Sequence, residues 1–183
     1  MSAGRCQGAA AVFLFLLAFP FYISCSREVG GKGILEIRVK DHRAAIEDFA
    51  KLEVPVESIR LKPWGSWIDL KPELASFDLT AYKKGNSATV FKGNIESGSF
   101  EGFHLQLGTI TGMLKKGNAE AKVKNGVGPI QLSFSVEPNR LTLLIIDLEV
   151  LDLTDHSGRG YDLHMNGYEY NKDGKLIDRV PPG

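Results

Sequence analysis

Apolar and polar residues alternate with a period of two along most of the chain after residue 33, which is typical of half-buried β-strands. Residues 34–40, ILEIRVK, place three aliphatic side chains on one face and three charged side chains on the other. The alternation continues over residues 49–61, but the apolar positions change parity between Val56 and Ile59. A change of parity within one strand requires an extra residue, so we expect a β-bulge near residues 57–58.

Further segments show the same alternation and predict additional strands at residues 68–70, 103–107, 119–123, 130–136, 141–153 and 161–165. Asn125-Gly126 lies between the third and the fourth of these segments, and this dipeptide is the strongest short signal for a β-hairpin. We therefore expect residues 119–123 and 130–136 to pair with each other. The segment LTLLIIDLEVLDL (141–153) is apolar on both parities at its start, as expected for a central strand.

Two short stretches have features of helices. One is HRAAIEDFAK (42–51), whose apolar residues recur at intervals near 3.6, and the other is FDLTAYKKG (77–85), which ends in a Gly suited to a helix C-cap. About eight short strands separated by turn signals, without an internal repeat, predict a single all-β domain. We expect an antiparallel β-sandwich with one or two short helical segments.

The first residues have a different pattern. Arg5 is followed by the apolar run AAAVFLFLLAFPFYIS (9–24), and no further charge occurs before Arg27. A membrane-spanning helix needs about 20 apolar residues, so this run favours a secretory signal peptide over the alternative of a short membrane anchor. We therefore predict that residues 1–24 are removed on export.

The end of the run, Ile23-Ser24-Cys25, resembles the lipobox of bacterial lipoproteins, although Tyr22 stands where that motif usually has Leu. The resemblance implies cleavage between Ser24 and Cys25, lipidation of Cys25 with fatty-acyl chains such as palmitate, and membrane contact through that lipid. Ser26, in place of Asp, implies the outer membrane of the cell envelope as the destination. The alternative is ordinary secretion after cleavage near the same position.

These signals divide the chain into a lipoprotein signal peptide (1–24), a Gly-rich flexible tether (25–33), a single β-sandwich domain (34–178) and a short tail (179–183). Lys and Arg together number 22, as do Asp and Glu, so the chain has no excess positive charge with which to collect nucleic acid. Both cysteines, Cys6 and Cys25, precede the domain, which excludes a disulfide or a cysteine-ligated metal inside it. No cofactor is expected.

Three longer stretches resemble a known bacterial family. They are DFAKLEVPVESIRLKPWGSWIDL (48–70), FDLTAYKKGNSATVFKGNIESGSFEGFHLQLG (77–108) and PNRLTLLIIDLEV (138–150). Their order, over roughly residues 34–165, is similar to that of the family called domain of unknown function 4382. The resemblance implies a secreted or lipid-anchored protein with a Greek-key β-sandwich of the transthyretin-like (prealbumin-like) or carboxypeptidase-regulatory-like type. Because the shared motifs are packing patterns, they imply a fold more than an activity.

Few residues carry candidate chemistry. Asp147 and Glu149 lie two apart and therefore on one face of a strand, where paired carboxylates can bind a cation or share acid–base work. Together with His156 and His164, which flank a Gly-rich loop, they define one alternative function, a metal-binding protein or an envelope hydrolase. The spacings match no standard metal-ligand pair, so Asp147, Glu149, Asp155 and His156 are metal candidates by residue type alone. A solvated polar strip is the simpler interpretation, and no coherent catalytic set is present.

Aromatic residues are the candidates for ligand binding. Trp64, Trp67, Tyr161 and Tyr168 are those expected to contact a glycan or a partner protein of the envelope. Trp67 is out of phase with the apolar positions of its strand and is predicted to be exposed, whereas Trp64 is equally able to fold over its hairpin and cover the core. The leading hypothesis is a non-enzymatic, lipid-anchored envelope module with a binding or adhesion role. A purely structural spacer is the third alternative.

Overall fold

The computed structural model describes residues 30–42, 45–83, 85–157 and 160–180. The regular elements of these residues are two short 3₁₀ helices, Ala45–Asp48 and Leu79–Ala81, and strands, so the predicted all-β class with one or two short helical segments is confirmed. The strands are β1 (Lys32–Asp41), β2 (Phe49–Pro63), β3 (Ile68–Leu70), β4 (Ser76–Asp78), β5 (Ala88–Glu96), β6 (Gly98–Leu107), β7 (Ile110–Leu114), β8 (Glu120–Asn125), β9 (Ile130–Val136), β10 (Leu141–Asp152), β11 (Tyr161–Lys172) and β12 (Lys175–Val180). No helix in this described part of the chain is long and apolar enough to cross a lipid bilayer.

The described strands form one open sheet. Its main path has the order β5-β1-β10-β11-β8-β7-β2-β6-β9, while β12 pairs with β11, and β3 and β4 pair with β2. Most neighbours are antiparallel, as predicted, but β1 pairs with β10, and β8 with β11, in parallel. β10 lies between β1 and β11, which confirms the central position predicted for residues 141–153.

β2 joins the two halves of the sheet. It pairs with β7 as far as Glu53 and with β6 from Val56 onward. The register shifts between Val56 and Ser58, which confirms the predicted bulge. Pro55, which has no N–H to donate, lies between the part of β2 that pairs with β7 and the part that pairs with β6, and on its other side it lies opposite Ser76 of β4. A long, bulged strand that changes partners allows the sheet to fold over and cover the core from both sides.

The core lies between the two halves of the sheet. Inward-facing side chains such as Ile37 of β1, Leu144 of β10 and Leu105 of β6 are completely buried. An aliphatic side chain of this size stabilises the fold by roughly 1.5–3 kcal/mol when it leaves water. On the opposite face of β10, Leu143 and Ile145 are only half-buried, and the charged side chains of β1 flank them.

Asn125-Gly126 does not form the predicted hairpin, and that prediction is wrong. β8 pairs with β7 and β11, whereas β9 pairs with β6. The Gly126 N–H donates to the carbonyl oxygen of Leu163 in β11, at 2.8 Å. A Cβ atom on Gly126 would lie 2.7 Å from the imidazole of His164, so the glycine is required by the close approach of two strands and not by a turn.

Candidate functional site

The turn between β2 and β3 places two tryptophans in different environments. Trp64, whose position the sequence left open, is 87% exposed, whereas Trp67 is half-buried, so the predicted exposure of Trp67 is wrong. The Trp67 ring lies over Gly102 of β6, where a Cβ atom would be 3.1 Å from the indole. The guanidinium carbon of Arg60 lies 5.5 Å from a ring centroid of Trp67, within the range of a cation–π contact. Trp67 is therefore held against the sheet, and Trp64 faces solvent.

His104 of β6 completes the packing around Trp67. The two rings meet edge-on, with their centroids 6.5 Å apart. Burial, and after it the positive charge of Arg60, lower the pKa of the His104 imidazole. The neutral form of His104 is therefore favoured at the place where Trp67 rests on the sheet.

Three adjoining clefts lie along the paired strands β6 and β9, hereafter the β6–β9 ribbon, and the first two border the turn between β2 and β3. The first has a volume of about 480 Å³, and Trp67 is part of its wall. The second has a volume of about 510 Å³ and has Trp64 in its wall. The third, of about 660 Å³, reaches residues 30–31, where the described chain begins.

Neighbouring clefts share wall residues. Glu101 and Ser133 belong to both the first and the second cleft, and Ser99 and Ser135 belong to both the second and the third. The three clefts therefore form one continuous groove, hereafter the tryptophan groove. Its shared walls carry three hydroxyl groups and one carboxylate, all of which can form hydrogen bonds with a ligand.

The charged side chains along the tryptophan groove form ion pairs. Lys62 Nζ lies 3.0 Å from a carboxylate oxygen of Glu101, and Lys172 Nζ lies 2.5 Å from one of Glu137. The hydrogen bond from Lys172 lowers the pKa of the Glu137 carboxyl. Each pair cancels its own charge, so the described walls of the groove are polar and close to neutral.

Aromatic rings form part of the wall beside Trp64. Phe100 and Phe134 are stacked with their centroids 4.9 Å apart, and Tyr170 meets Phe134 edge-on at 6.2 Å. The Tyr170 hydroxyl accepts a hydrogen bond from the backbone N–H of Ser135, at 3.1 Å, and donates to its carbonyl oxygen, at 3.2 Å. It thereby occupies backbone groups on the free edge of β9, the last strand of the sheet path.

The two tyrosine candidates have other neighbours. Tyr161 lines a cleft of about 490 Å³ together with Lys122, and its hydroxyl donates to Asp48 at 3.2 Å. The Tyr168 hydroxyl donates to Asp178 of β12 at 3.0 Å. Burial first, and then the neighbouring carboxylates, raise the pKa of both tyrosines. Of the four aromatic candidates, the two tryptophans are the ones that line the tryptophan groove.

The predicted carboxylate pair lies on the outer face of β10. Asp147 is 8% exposed, and its Oδ2 atom lies 3.0 Å from His42 Nδ1 and 3.9 Å from Lys40 Nζ. Glu149 lies opposite His164 in the pairing of β10 with β11. A carboxylate bonded to an imidazole nitrogen orients the ring, as it does for a general base. Lys40 also binds a second carboxylate, which is typical of a charge network across strands.

The remaining metal candidates form a separate pair. His156 Nδ1 lies 2.6 Å from Asp155 Oδ1, in the exposed loop after β10. Among the residues that the structure describes, no group of three or more His, Cys, Asp or Glu side chains is arranged to hold a metal ion. The four metal candidates therefore do not converge on one site within this part of the chain.

His42 is a polar neighbour of Asp147 that the sequence pattern did not reveal. It follows β1 directly, and its backbone N–H donates to the carbonyl oxygen of Leu148 at 2.8 Å. Lys40 lies opposite Asp147 in the parallel ladder, which brings the end of β1 beside the middle of β10. The alternation within either segment contains no signal for this long-range pairing.

Comparison with known proteins places the domain in a family without a described activity. A family model described as Domain of unknown function (DUF4382) matches residues 32–163. No curated protein and no solved structure matches the chain. The predicted lipidation and cleavage positions, Cys25 and Ser24, precede this match and lie outside the described residues, as does the rest of the predicted signal peptide.

Proposed function

The chain belongs to the family described as Domain of unknown function (DUF4382), and we propose that it is a non-enzymatic binding module of the bacterial cell envelope. A lipid on Cys25 holds the domain at the outer membrane, and the tryptophan groove binds the ligand. The observation that carries the binding role is the 87% exposure of Trp64 in the wall of a cleft of about 510 Å³. Ligand sites in proteins have volumes of about 300–1,000 Å³ and are lined by aromatic residues with a few polar groups.

The position of the groove is compatible with an anchor at Cys25. The third cleft reaches Gly30, which follows Cys25 by five positions in the sequence. A chain of that length spans at most about 18 Å. A lipid on Cys25 would therefore keep this end of the groove close to the membrane surface, where envelope ligands are concentrated.

We also infer that the folded-over sheet is a sandwich of the transthyretin-like or carboxypeptidase-regulatory-like type that the family resemblance implies. The partner change of β2 at its bulge supports this inference, because strands of sandwiches pass between sheets at such bulges. An experimental structure whose strand order departs from that of transthyretin would contradict it.

The rival function is a metalloprotein or an envelope hydrolase. It would use Asp147 and Glu149 with the histidines of the following loop and strand. The contacts of Asp147 with His42 and Lys40 favour a structural charge network over that rival. A stoichiometric metal ion in the purified protein would favour the rival, and hydrolysis of esters, peptides or glycans that Asp147→Ala abolishes would overturn the non-enzymatic proposal.

The lipid anchor is tested by metabolic labelling in a Gram-negative host. We expect labelled palmitate to enter the wild-type chain and not Cys25→Ser, because the lipid chemistry requires the Cys25 thiol. Cys6→Ser is the matched control, since it removes the other cysteine of the chain and should leave labelling unchanged. Equal labelling of the wild type and Cys25→Ser would contradict the anchor.

A further inference from the structure

We propose that the ligand of the tryptophan groove is a neutral oligosaccharide, with a sugar ring stacked on Trp64. This ligand class rests on the binding role proposed above. The indole of Trp64 is 87% exposed, and it stands at the wall of the second cleft. The flat apolar face of an indole matches the C–H face of a pyranose ring, and this contact leaves the sugar hydroxyls free to reach polar walls.

Trp64 is presented by a tight turn whose far side is fixed to the sheet. Pro63 precedes it and has a φ angle restricted by its ring, and Gly65 follows it with φ at +119°, in the region that favours glycine. Trp67, on the far side of the turn, is held by Arg60 and by its contact with Gly102. The Trp67 wall of the groove is therefore oriented before a ligand binds, which limits the conformational entropy lost on binding.

The polar walls match the hydroxyl groups of a sugar. Ser99, Ser133 and Ser135 supply hydroxyls that both donate and accept hydrogen bonds, and Glu101 supplies acceptor oxygens. The charges in the walls are already paired, as in Lys62 with Glu101, at 3.0 Å. A strongly charged ligand would have to break such pairs, whereas a neutral saccharide binds without doing so.

A peptide strand is disfavoured at the same place. An extended peptide that adds to a sheet needs free backbone N–H and C=O groups on the edge strand. On β9 the N–H and C=O of Ser135 are bonded to the Tyr170 hydroxyl, and the same carbonyl also accepts from Thr142 Oγ1 at 3.0 Å. These side chains block strand addition in the middle of the groove.

The continuity of the groove indicates a chain of sugars in preference to a monosaccharide. The clefts beside Trp67 and Trp64 share Glu101 and Ser133, and their volumes are about 480 and 510 Å³. The third cleft continues the groove to residues 30–31. A ligand of several rings could therefore extend from Trp67 toward the N-terminal end of the domain.

The test uses the full chain purified in detergent and four neutral probes: cellohexaose, hexa-N-acetylchitohexaose, maltohexaose and xylohexaose. Calorimetric titration should show binding of at least one probe, and Trp64→Ala should weaken that binding at least about tenfold, as expected for a buried aromatic contact. Met113→Ala, on β7, is the matched control because Met113 is also an exposed apolar residue, at 42%. The affinity of the Met113→Ala variant for the hexasaccharide should equal that of the wild type.

Fluorescence gives a second readout. The chain has two tryptophans, so Trp67→Phe leaves Trp64 as the only indole. The emission of this variant should shift to shorter wavelength when the binding hexasaccharide is added. A stacked indole loses contact with water, whereas an indole remote from the ligand does not change its emission.

Three results would overturn the proposal: no binding of any of the four hexasaccharides, unchanged affinity in Trp64→Ala, or Trp64-dependent binding of an extended peptide alone. The last result would preserve the binding role and reject the ligand class. Palmitate labelling reports only on Cys25, so a failure of the anchor and a failure of saccharide binding are separately visible.

Discussion

Glu36 is a carboxylate that the fold buries on the outer face of β1. It is 3% exposed and lies 2.5 Å from a guanidinium nitrogen of Arg38 and 2.9 Å from Lys92 Nζ, on β5. Burial by itself would raise the pKa of Glu36, but the hydrogen bonds from Lys92 and Arg38 outweigh it and lower the pKa below 4.5. Both cations are themselves partly exposed, at 38% for the Arg38 side chain and 54% for that of Lys92, so they bind the carboxylate from its solvent side.

This ion pair predicts a specific pH dependence of stability. Because the pKa of Glu36 is lower in the folded state, its contribution is complete above pH 4.5 and is lost as the pH falls through the folded-state pKa. We expect Glu36→Gln to lower the free energy of unfolding by about 1–3 kcal/mol at pH 7, since hydrogen bonds to a charged group are removed. The difference from the wild type should shrink in acid, where Glu36 is itself protonated.

Urea denaturation at pH 7 and at low pH measures this difference. Glu120→Gln is the matched control because Glu120 is an exposed carboxylate on β8, and its substitution should change stability by less than about 0.5 kcal/mol. A Glu36→Gln effect that is equally large at both pH values would show that lost packing, and not charge, is responsible.

At the scale of elements, Tyr170 connects the end of the sheet path to its middle. β9 lies at one end of the path and β11 lies near its centre, yet the Tyr170 hydroxyl bonds to Ser135 of β9. Tyr170 is 5% exposed, so these bonds are shielded from water. The contact helps the two halves of the sheet to close over the core.

We expect Tyr170→Phe to destabilise the fold by about 1–3 kcal/mol, because it leaves the shielded Ser135 N–H without its partner. Tyr168→Phe is the matched control on the same strand, since it removes only a hydroxyl that donates to exposed Asp178. The control should lower stability by less than about 1 kcal/mol. Equal losses in the two variants, measured by chemical denaturation, would refute a specific role for the bond between β9 and β11.

At the scale of the whole molecule, the fold depends on contacts between distant parts of the chain. β1 pairs with β10, so that Ile34 lies opposite Leu141, and β10 in turn pairs with β11. β12 is different because all six of its residues are exposed. The last third of the sequence thus provides the central strand, β10. The final strand, β12, adds little buried surface.

Two truncations test this difference. A chain that stops after Gly174 lacks only β12 and should retain a cooperative thermal transition at a slightly lower Tm. A chain that stops after Asn139 lacks β10 to β12 and should show no cooperative transition, because β1 then lacks its partner β10 and β8 lacks its partner β11. Cooperative unfolding of the shorter chain, followed by circular dichroism, would contradict the structural account.

The sequence by itself determined the position of most strands and which of their side chains face inward, although it did not predict β4, β5, β7 or β12. Alternation is a local property, and it located β1, β2 and β10 as well as the bulge between Val56 and Ser58. It also identified the all-β class and the family motifs. In the candidate site, it singled out Trp64 and Trp67 as residues of interest, although it predicted exposure for Trp67, which is half-buried, and left that of Trp64 open.

Only the tertiary structure decided which strands are neighbours, and the site depends on those neighbours. Asn125-Gly126 has the composition of a hairpin, but the pairing of β8 with β11 places Gly126 against His164 instead. The parallel pairing of β1 with β10 likewise brings His42 to Asp147. The physical reason is that the alternation of apolar and polar residues indicates which face of a strand a residue occupies, whereas the pairing of strands depends on the packing of segments far apart in the chain. The tryptophan groove arises in the same way, from the approach of the β2–β3 turn to the β6–β9 ribbon.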